Sequence, residues 1–317
     1  MRIILDTDPG IDDSLAILFL AAQENMEIVA VGSVHGNVPA PTAADNALQV
    51  LDLAGLTEVP VAIGAARPLA QELRTTEFVH GADGLGGQAG KPPARKPEKI
   101  SAAEQIVHLA RENPGELTLL ALGPLTNVAL ALLLEPRLPH LLKSVMILGG
   151  ALGVPGNVTP NAEANIWHDP EAADLVFEAG FENLTLVGLD VTETAKADEA
   201  WLTALAEIPT PKAQFATALL KHYADFYSRM SGYRTCTIHD PLAAALLQDP
   251  TMAEYKEVVV SVELRGTHTR GQLISDWRRI ADDTNIKSQA GQGRKPIRAA
   301  VSVNTNAYLT RLSNALR

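Results

Sequence analysis

The chain has 317 residues, 46% of them hydrophobic and 20% charged, which is ordinary globular composition and enough for one large domain or two modest ones. Twenty-six Lys and Arg against thirty-seven Asp and Glu leave a formal charge of −11, so nucleic acid is a poor partner. A single cysteine, Cys236, excludes an internal disulfide framework and suits a reducing compartment.

The start, "MRIILDTDPG", lacks the unbroken apolar core of a secretion signal. "RIIL" (2–5) reads as a short buried strand and "DDSLAILFLAAQ" (12–23) as a helix apolar on most sides. "MEIVAVGSV" (26–34) reads as a strand, "APTAADNALQVLDLAG" (40–55) as a helix stopped by glycine, and "VPVAIG" (59–64) as a strand. Residues 64–100 form a long irregular stretch, in which the proline-rich "GKPPARKPEK" (90–99) reads as a solvated surface loop. A helix at 101–112 leads to strand "LTLLAL" (117–122), helix "PLTNVALALLL" (124–134) and strand "SVMILGG" (144–150). After a second long loop (150–165) come a helix from Pro170 and strand "NLTLVGL" (183–189). Residues 198–249 read as an additional helical region, and 256–263 and 298–304 as strands around the polar "RGTHTRGQLISDWRR" (265–279).

This alternation predicts an α/β fold: a mostly parallel central sheet with helices on both faces, its site at the carboxyl ends of the strands. No repeat or linker divides the chain, so it reads as one domain over 1–317. "LAILFLAA" (15–22) and "VALALLL" (128–134) fall far short of the roughly 18 apolar residues that span a bilayer. The expectation is a soluble, cytoplasmic protein with neither membrane nor nucleic acid as partner.

"ILDTDPGIDD" (4–13) follows the first strand and places Asp6, Asp8, Asp12 and Asp13 within eight residues. Two like charges about 4 Å apart repel by roughly 4 kcal/mol at an effective dielectric near 20, so the cluster needs solvent, protons or a cation. Its spacing imitates the first half of an EF-hand loop, but the position of the bidentate Glu is Ile17, which excludes that motif. Helix capping accounts for Asp12 at the N-cap and Asp13 in the first turn, but not for Asp6 and Asp8. A strand followed by Asp-x-Asp also opens haloacid-dehalogenase-type phosphatases, with Asp6 as nucleophile; Pro9 and the Asp12–Asp13 pair fit that pattern poorly.

"HDP" occurs at 168–170 and 239–241, each reading as a helix start with Asp at N-cap and Pro at the first helical position. The residues alone leave open which of them, if either, joins a metal. "GLGGQA" (84–89) follows no strand and opens no helix, so it fails as a dinucleotide fingerprint. Cys236 alone reads as a small buried hydrophobe.

"DTDPGIDD" nevertheless resembles the N-terminal signature of the inosine-uridine-preferring nucleoside hydrolases, and the similarity continues in order along the chain. It runs through "HGN" (35–37), "HGADGLGG" (80–87), "LGPLTN" (122–127), "GNVTPNAEANIWHDPEAA" (156–173) and "IHDPLAA" (238–244). The resemblance implies Ca²⁺-dependent hydrolysis of the N-glycosidic bond of ribonucleosides. It assigns the metal to Asp8, Asp13, the carbonyl of Leu122 and Asp240, leaves Asp169 as a helix cap, and makes Asp6 a supporting acid.

Asp12 then fits the general base acting on water, because neighbouring residues point in different directions and one can hold metal while the other faces water. The same resemblance places ribose on Asn37, Asn157, Glu163 and Asn165, and the nucleobase against His80, Tyr223, Tyr227 and His239. His239 is the candidate acid for the leaving group, because imidazole suits proton donation near neutral pH. Tyr223 and Tyr227 are four apart on one helix face, which two core tyrosines would satisfy equally well. The family usually carries an aromatic where this chain has Ala164. Also implied are a role in purine and pyrimidine nucleoside catabolism or salvage and a homodimer or homotetramer. A non-catalytic nucleoside-binding protein on the same scaffold is the remaining alternative, and a base beside the metal argues against it.

Overall fold

A computed structural model describes residues 1–91, 93–276 and 293–317 of the chain. In chain order the strands are β1 (Arg2–Thr7), β2 (Glu27–Ser33), β3 (Val61–Ile63), β4 (Leu117–Ala121), β5 (Ser144–Leu148) and β6 (Leu184–Val187). Then follow β7 (Lys196–Asp198), β8 (Thr235–Thr237), β9 (Ala253–Val258), β10 (Ser261–Val262), β11 (Leu273–Ile274) and β12 (Ile297–Val303). Eight of them form one sheet in the order β3-β2-β1-β4-β5-β6-β12-β9, parallel throughout except for β9 against β12.

The apolar runs explain the two-faced burial. In β1, Ile3 and Leu5 enter one core and Ile4 the other; in β4, Leu120 faces the first core and Leu117 and Leu119 the second. The first core is covered by helices that include Ile11–Ala21, Pro211–Ser231, Asp240–Gln248 and Thr305–Ala315. Across the sheet, Ala102–Glu112, Thr126–Leu134 and Pro170–Glu178 cover the second. Strand order reverses between β1 and β4, so the loops leaving these two strands open the crevice where doubly wound sheets take their ligands. No helix among the described residues is long and apolar enough to cross a membrane.

Several local expectations change. The stretch read as irregular (64–100) contains a one-turn helix, Glu77–His80, and Glu98 forms a parallel bridge to Ala62. Within the basic loop, Arg95 is held by Asp52 and by the carbonyl of Val59, while Pro92 lies outside the described residues. The strand expected at 256–263 is two: β9 pairs with β12, and β10 pairs with β11, which arises inside the polar segment. The end of that segment, 277–279, lies outside the described residues.

Candidate functional site

Asp8 follows β1 directly, and the next helix begins at Ile11. Asp6, Asp8, Asp12 and Asp13 are all buried, at 0–4% exposure, and Asp240 joins them from the start of the helix Asp240–Gln248. Asp12, Asp13 and Asp240 each present an oxygen within 4.8 Å of the others. Asp12 and Asp13 therefore converge on one point, although their hydrogen bonds run to opposite sides.

Asp13 accepts from the hydroxyl of Thr7, from Gly10 N–H at 2.9 Å and from Asn37 Nδ2 at 3.0 Å. The N-cap of the first helix is therefore Gly10, not Asp12, and Asp13 at the third helical position completes the cap by accepting the Gly10 N–H. Asp12 instead takes the His239 N–H at 3.3 Å and the Tyr223 hydroxyl at 3.4 Å, both on Oδ2. Asp8 Oδ2 accepts the N–H of Asn37 at 2.6 Å, while its buried Oδ1 has no hydrogen-bond partner among the described residues. The backbone closes tightly on this carboxylate. A Cβ on Gly36 would stand 2.0 Å from Asp8 Oδ2, and one on Gly123 2.6 Å from Oδ1.

Burial is the largest influence on Asp8, Asp12 and Asp240 and raises all three pKa values, with mutual repulsion adding to it; Asp12 is pushed up to about 7. No Lys or Arg among the described residues forms an ion pair with any of the five clustered carboxylates.

The two "HDP" motifs part company. Asp169 caps its helix by accepting Ala172 N–H at 3.1 Å. Asp240 makes no such cap: the N-cap residue there is His239, and the Asp240 side chain turns into the acidic cluster. The capping expectation was right for one copy and wrong for the other, because identical local sequence meets different tertiary surroundings.

Of the sugar-side candidates, Asn37 lies just beyond β2, while Asn157 and Glu163 lie on the segment after β5 and Asn165 in the short helix Ala164–His168 that ends it. Glu163 accepts from Asn165 N, Gly150 N and Ile166 N at 2.9, 2.7 and 3.1 Å, and Asn157 Oδ1 accepts Ala164 N–H at 3.0 Å. Asn165 Nδ2 donates to the carbonyls of Leu122 (2.7 Å) and Leu148 (3.2 Å), which ties this loop to the segment after β4.

On the other side, His80 Nδ1 accepts Ile11 N–H at 3.1 Å, and its ring centroid lies 5.4 Å from that of Tyr223. Tyr223 and Tyr227 pack edge to face at 5.0 Å. The Tyr227 hydroxyl is 3.2 Å from His239 Nε2, and His239 Nδ1 is 2.9 Å from Thr192 Oγ1. Burial pushes His239 down to about 4 and His80 to about 3. Burial thus favours the neutral ring of His239, from which a proton would be given by a ring N–H.

Sequence reading passed over Thr7, Thr76, Asn127 and Thr192. Thr76 donates to Asn37 Oδ1 at 2.7 Å. Asn127 donates to Asp6 Oδ1 at 2.8 Å and to the carbonyl of Ser33. Thr7 and Asn127 lie within the quoted motifs; nothing in the sequence marks Thr76 or Thr192. Asp6 is fully buried and pinned by Asn127, with no surface for a phosphate ester to approach. This disfavours the phosphatase alternative.

A family model described as inosine-uridine preferring nucleoside hydrolase matches residues 3–310. The chain is 41% identical over 313 residues to a protein named uridine nucleosidase 1 from Arabidopsis thaliana, covering 97% of this chain and 90% of the relative. It is 37% identical over 279 residues to an inosine-uridine preferring nucleoside hydrolase from Leishmania major, covering 87% and 88%. Among solved structures, a plant nucleoside hydrolase superposes with a TM-score of 0.94 at 34% identity, covering 99% of this chain and 98% of that one. The mostly parallel sheet, the site beyond its carboxyl edge and these similarities agree: the chain belongs to the inosine-uridine preferring nucleoside hydrolase family and is an enzyme, a nucleoside hydrolase.

Proposed function

We propose that this chain cleaves the N-glycosidic bond of ribonucleosides, both inosine and uridine, with Asp12 as general base. One Ca²⁺ would be held by Asp8, Asp13, Asp240 and the Leu122 carbonyl. The observation that carries the reading is the buried convergence of Asp12, Asp13 and Asp240 beside Asp8, whose Oδ1 is enclosed without a partner. An all-oxygen donor set with several carboxylates fits a hard cation. Bound there, Ca²⁺ would neutralise the carboxylates and polarise the ribose hydroxyls and water.

Asp12 removes a proton from water as the new C1′–O bond forms. The C1′–N bond breaks with its electron pair passing to the base, through an oxocarbenium-like transition state favoured by the surrounding negative charge. Asn37, Asn157, Glu163 and Asn165 orient the ribose. Tyr227 and neutral His239 form a hydroxyl–imidazole pair that can deliver a proton to the departing base. Tyr223 and His80 flank the base. Lone buried Cys236 supports a cytoplasmic setting, and the family resemblance alone supports a homodimer or homotetramer.

The test is reducing-sugar release from inosine and uridine, set against phosphate release from p-nitrophenyl phosphate. Sugar release that disappears with a calcium chelator and returns with Ca²⁺ is expected. Full activity in the chelated enzyme, or phosphate release alone, would overturn the reading.

A further inference from the structure

Thr126 is a junction. Its hydroxyl has one proton, which goes to Asp169 Oδ2 at 2.7 Å, so the contact with His35 Nε2 at 3.0 Å must be received from the imidazole N–H. All three residues are 0–1% exposed. The chain Asp169–Thr126–His35 thus joins three segments distant in sequence, each leading directly to proposed site residues. His35 stands two positions before Asn37, two residues beyond β2. Thr126 stands four positions after Leu122, as the first residue of the helix Thr126–Leu134. Asp169 caps the helix that directly follows the short helix Ala164–His168, where Glu163 is the N-cap and Asn165 the second residue, and it also accepts Leu69 N–H at 2.9 Å.

We infer that this hydroxyl-centred relay positions the ribose-binding groups: Thr126, His35 and Asp169 set sugar affinity without touching the sugar. The geometry after each anchor supports this. Asn37 is fixed to Asp8 by its backbone N–H and to Asp13 by its side-chain Nδ2, so displacement of His35 is transmitted to the ribose side through Gly36 alone, where no side chain fits. The Leu122 carbonyl and Asn165 are hydrogen-bonded to each other, so Thr126 and Asp169 hold the two ends of the same contact. Outer groups that orient ligands to a centre are worth roughly 10–100-fold in affinity or activity.

The inference rests on the hydrolase reading above, and the experiment separates the two. Thr126→Val keeps shape and removes both hydrogen bonds. We expect KM to rise about tenfold, equally for inosine and uridine because ribose is common to both, with kcat changed by less than about threefold and Tm close to that of the parent. Thr126→Ser, which restores the hydroxyl, should return KM to the parent value. Parent-like KM in Thr126→Val, or a rise confined to one nucleoside, overturns the relay while leaving the hydrolase reading intact. A parent that cleaves neither nucleoside overturns the hydrolase reading and the relay with it. If Thr126→Val does not accumulate, His35→Gln, which can still donate to Thr126, is compared with His35→Leu, which cannot. A higher KM in the Leu variant supports the relay, and equal KM values overturn it.

Discussion

The Tyr223 hydroxyl and Asp12 Oδ2 meet at 3.4 Å across 211 positions of sequence, on the oxygen that also receives the His239 N–H. Two donors on one oxygen orient the carboxylate. Asp12→Asn is expected to lower kcat by ~10²–10⁴, the range of general-base contributions, with KM nearly unchanged. Tyr223→Phe removes one long donor contact, worth roughly 0.5–1.5 kcal/mol, and kcat should fall about two- to tenfold. Steady-state kinetics on inosine decides both; normal kcat in Asp12→Asn moves the base elsewhere.

Calcium should act on folding as well as on rate. A cation that binds only the folded cluster adds about 2.7 kcal/mol at one hundred times its Kd. Melting curves of the chelated protein should therefore shift upward with added Ca²⁺, and Asp240→Asn should blunt that shift. Identical curves with and without Ca²⁺ count against a cation among Asp8, Asp13 and Asp240.

Gly123 offers a steric test. An added Cβ would lie 2.6 Å from Asp8 Oδ1 and 2.8 Å from Val34 Cγ1, so the carboxylate must move. Gly123→Ala is expected to lower kcat/KM at least about tenfold, because the carboxylate displaced is that of the proposed cation ligand Asp8. At Gly90 the nearest atom to an added Cβ is 3.5 Å away, an ordinary contact, and Gly90→Ala should behave as the parent. Equal kcat/KM in the two variants would show that the Asp8 position is not critical.

His168 links structure to pH. Its Nδ1 donates to the Ala164 carbonyl at 2.7 Å, its buried Nε2 has no partner among the described residues, and burial pushes it down to about 4. A histidine neutral in the fold and protonated in the unfolded chain contributes stability above its unfolded pKa, near 6.5. That contribution is lost as pH falls from about 6.5 to about 4. Buried Asp6, pushed up to about 7, acts in the opposite direction, so the parent is compared with His168→Gln. The difference in unfolding free energy between them should change by up to about 1.4 kcal/mol per pH unit in that window, read from urea midpoints. A constant difference from pH 7 to 4.5 refutes the assignment.

Periodicity and turn residues in the sequence determined the alternating elements, since buried parallel strands are nearly continuous apolar runs and amphipathic helices repeat every three to four residues. They also placed the aspartate loop after the first strand, hence at the sheet's carboxyl edge, and the ordered motifs identified the family. Local sequence could not separate the two "HDP" copies, because a helix start looks the same whether its aspartate caps the helix, as Asp169 does, or turns into an acidic cluster, as Asp240 does. Nor could it assign the contact with the Gly10 N–H to Asp13 and the tyrosine contact to Asp12, adjacent carboxylates that differ only in what lies opposite them. The neutrality of His239 is likewise tertiary: a pKa near 4 comes from burial by segments far along the chain. The Asp169–Thr126–His35 chain has no local signature at all. Its members are 91 and 43 positions apart, and only the packing of the loop beyond β2 and the start of the helix Thr126–Leu134 against the helix at Asp169 brings one hydroxyl within reach of both partners.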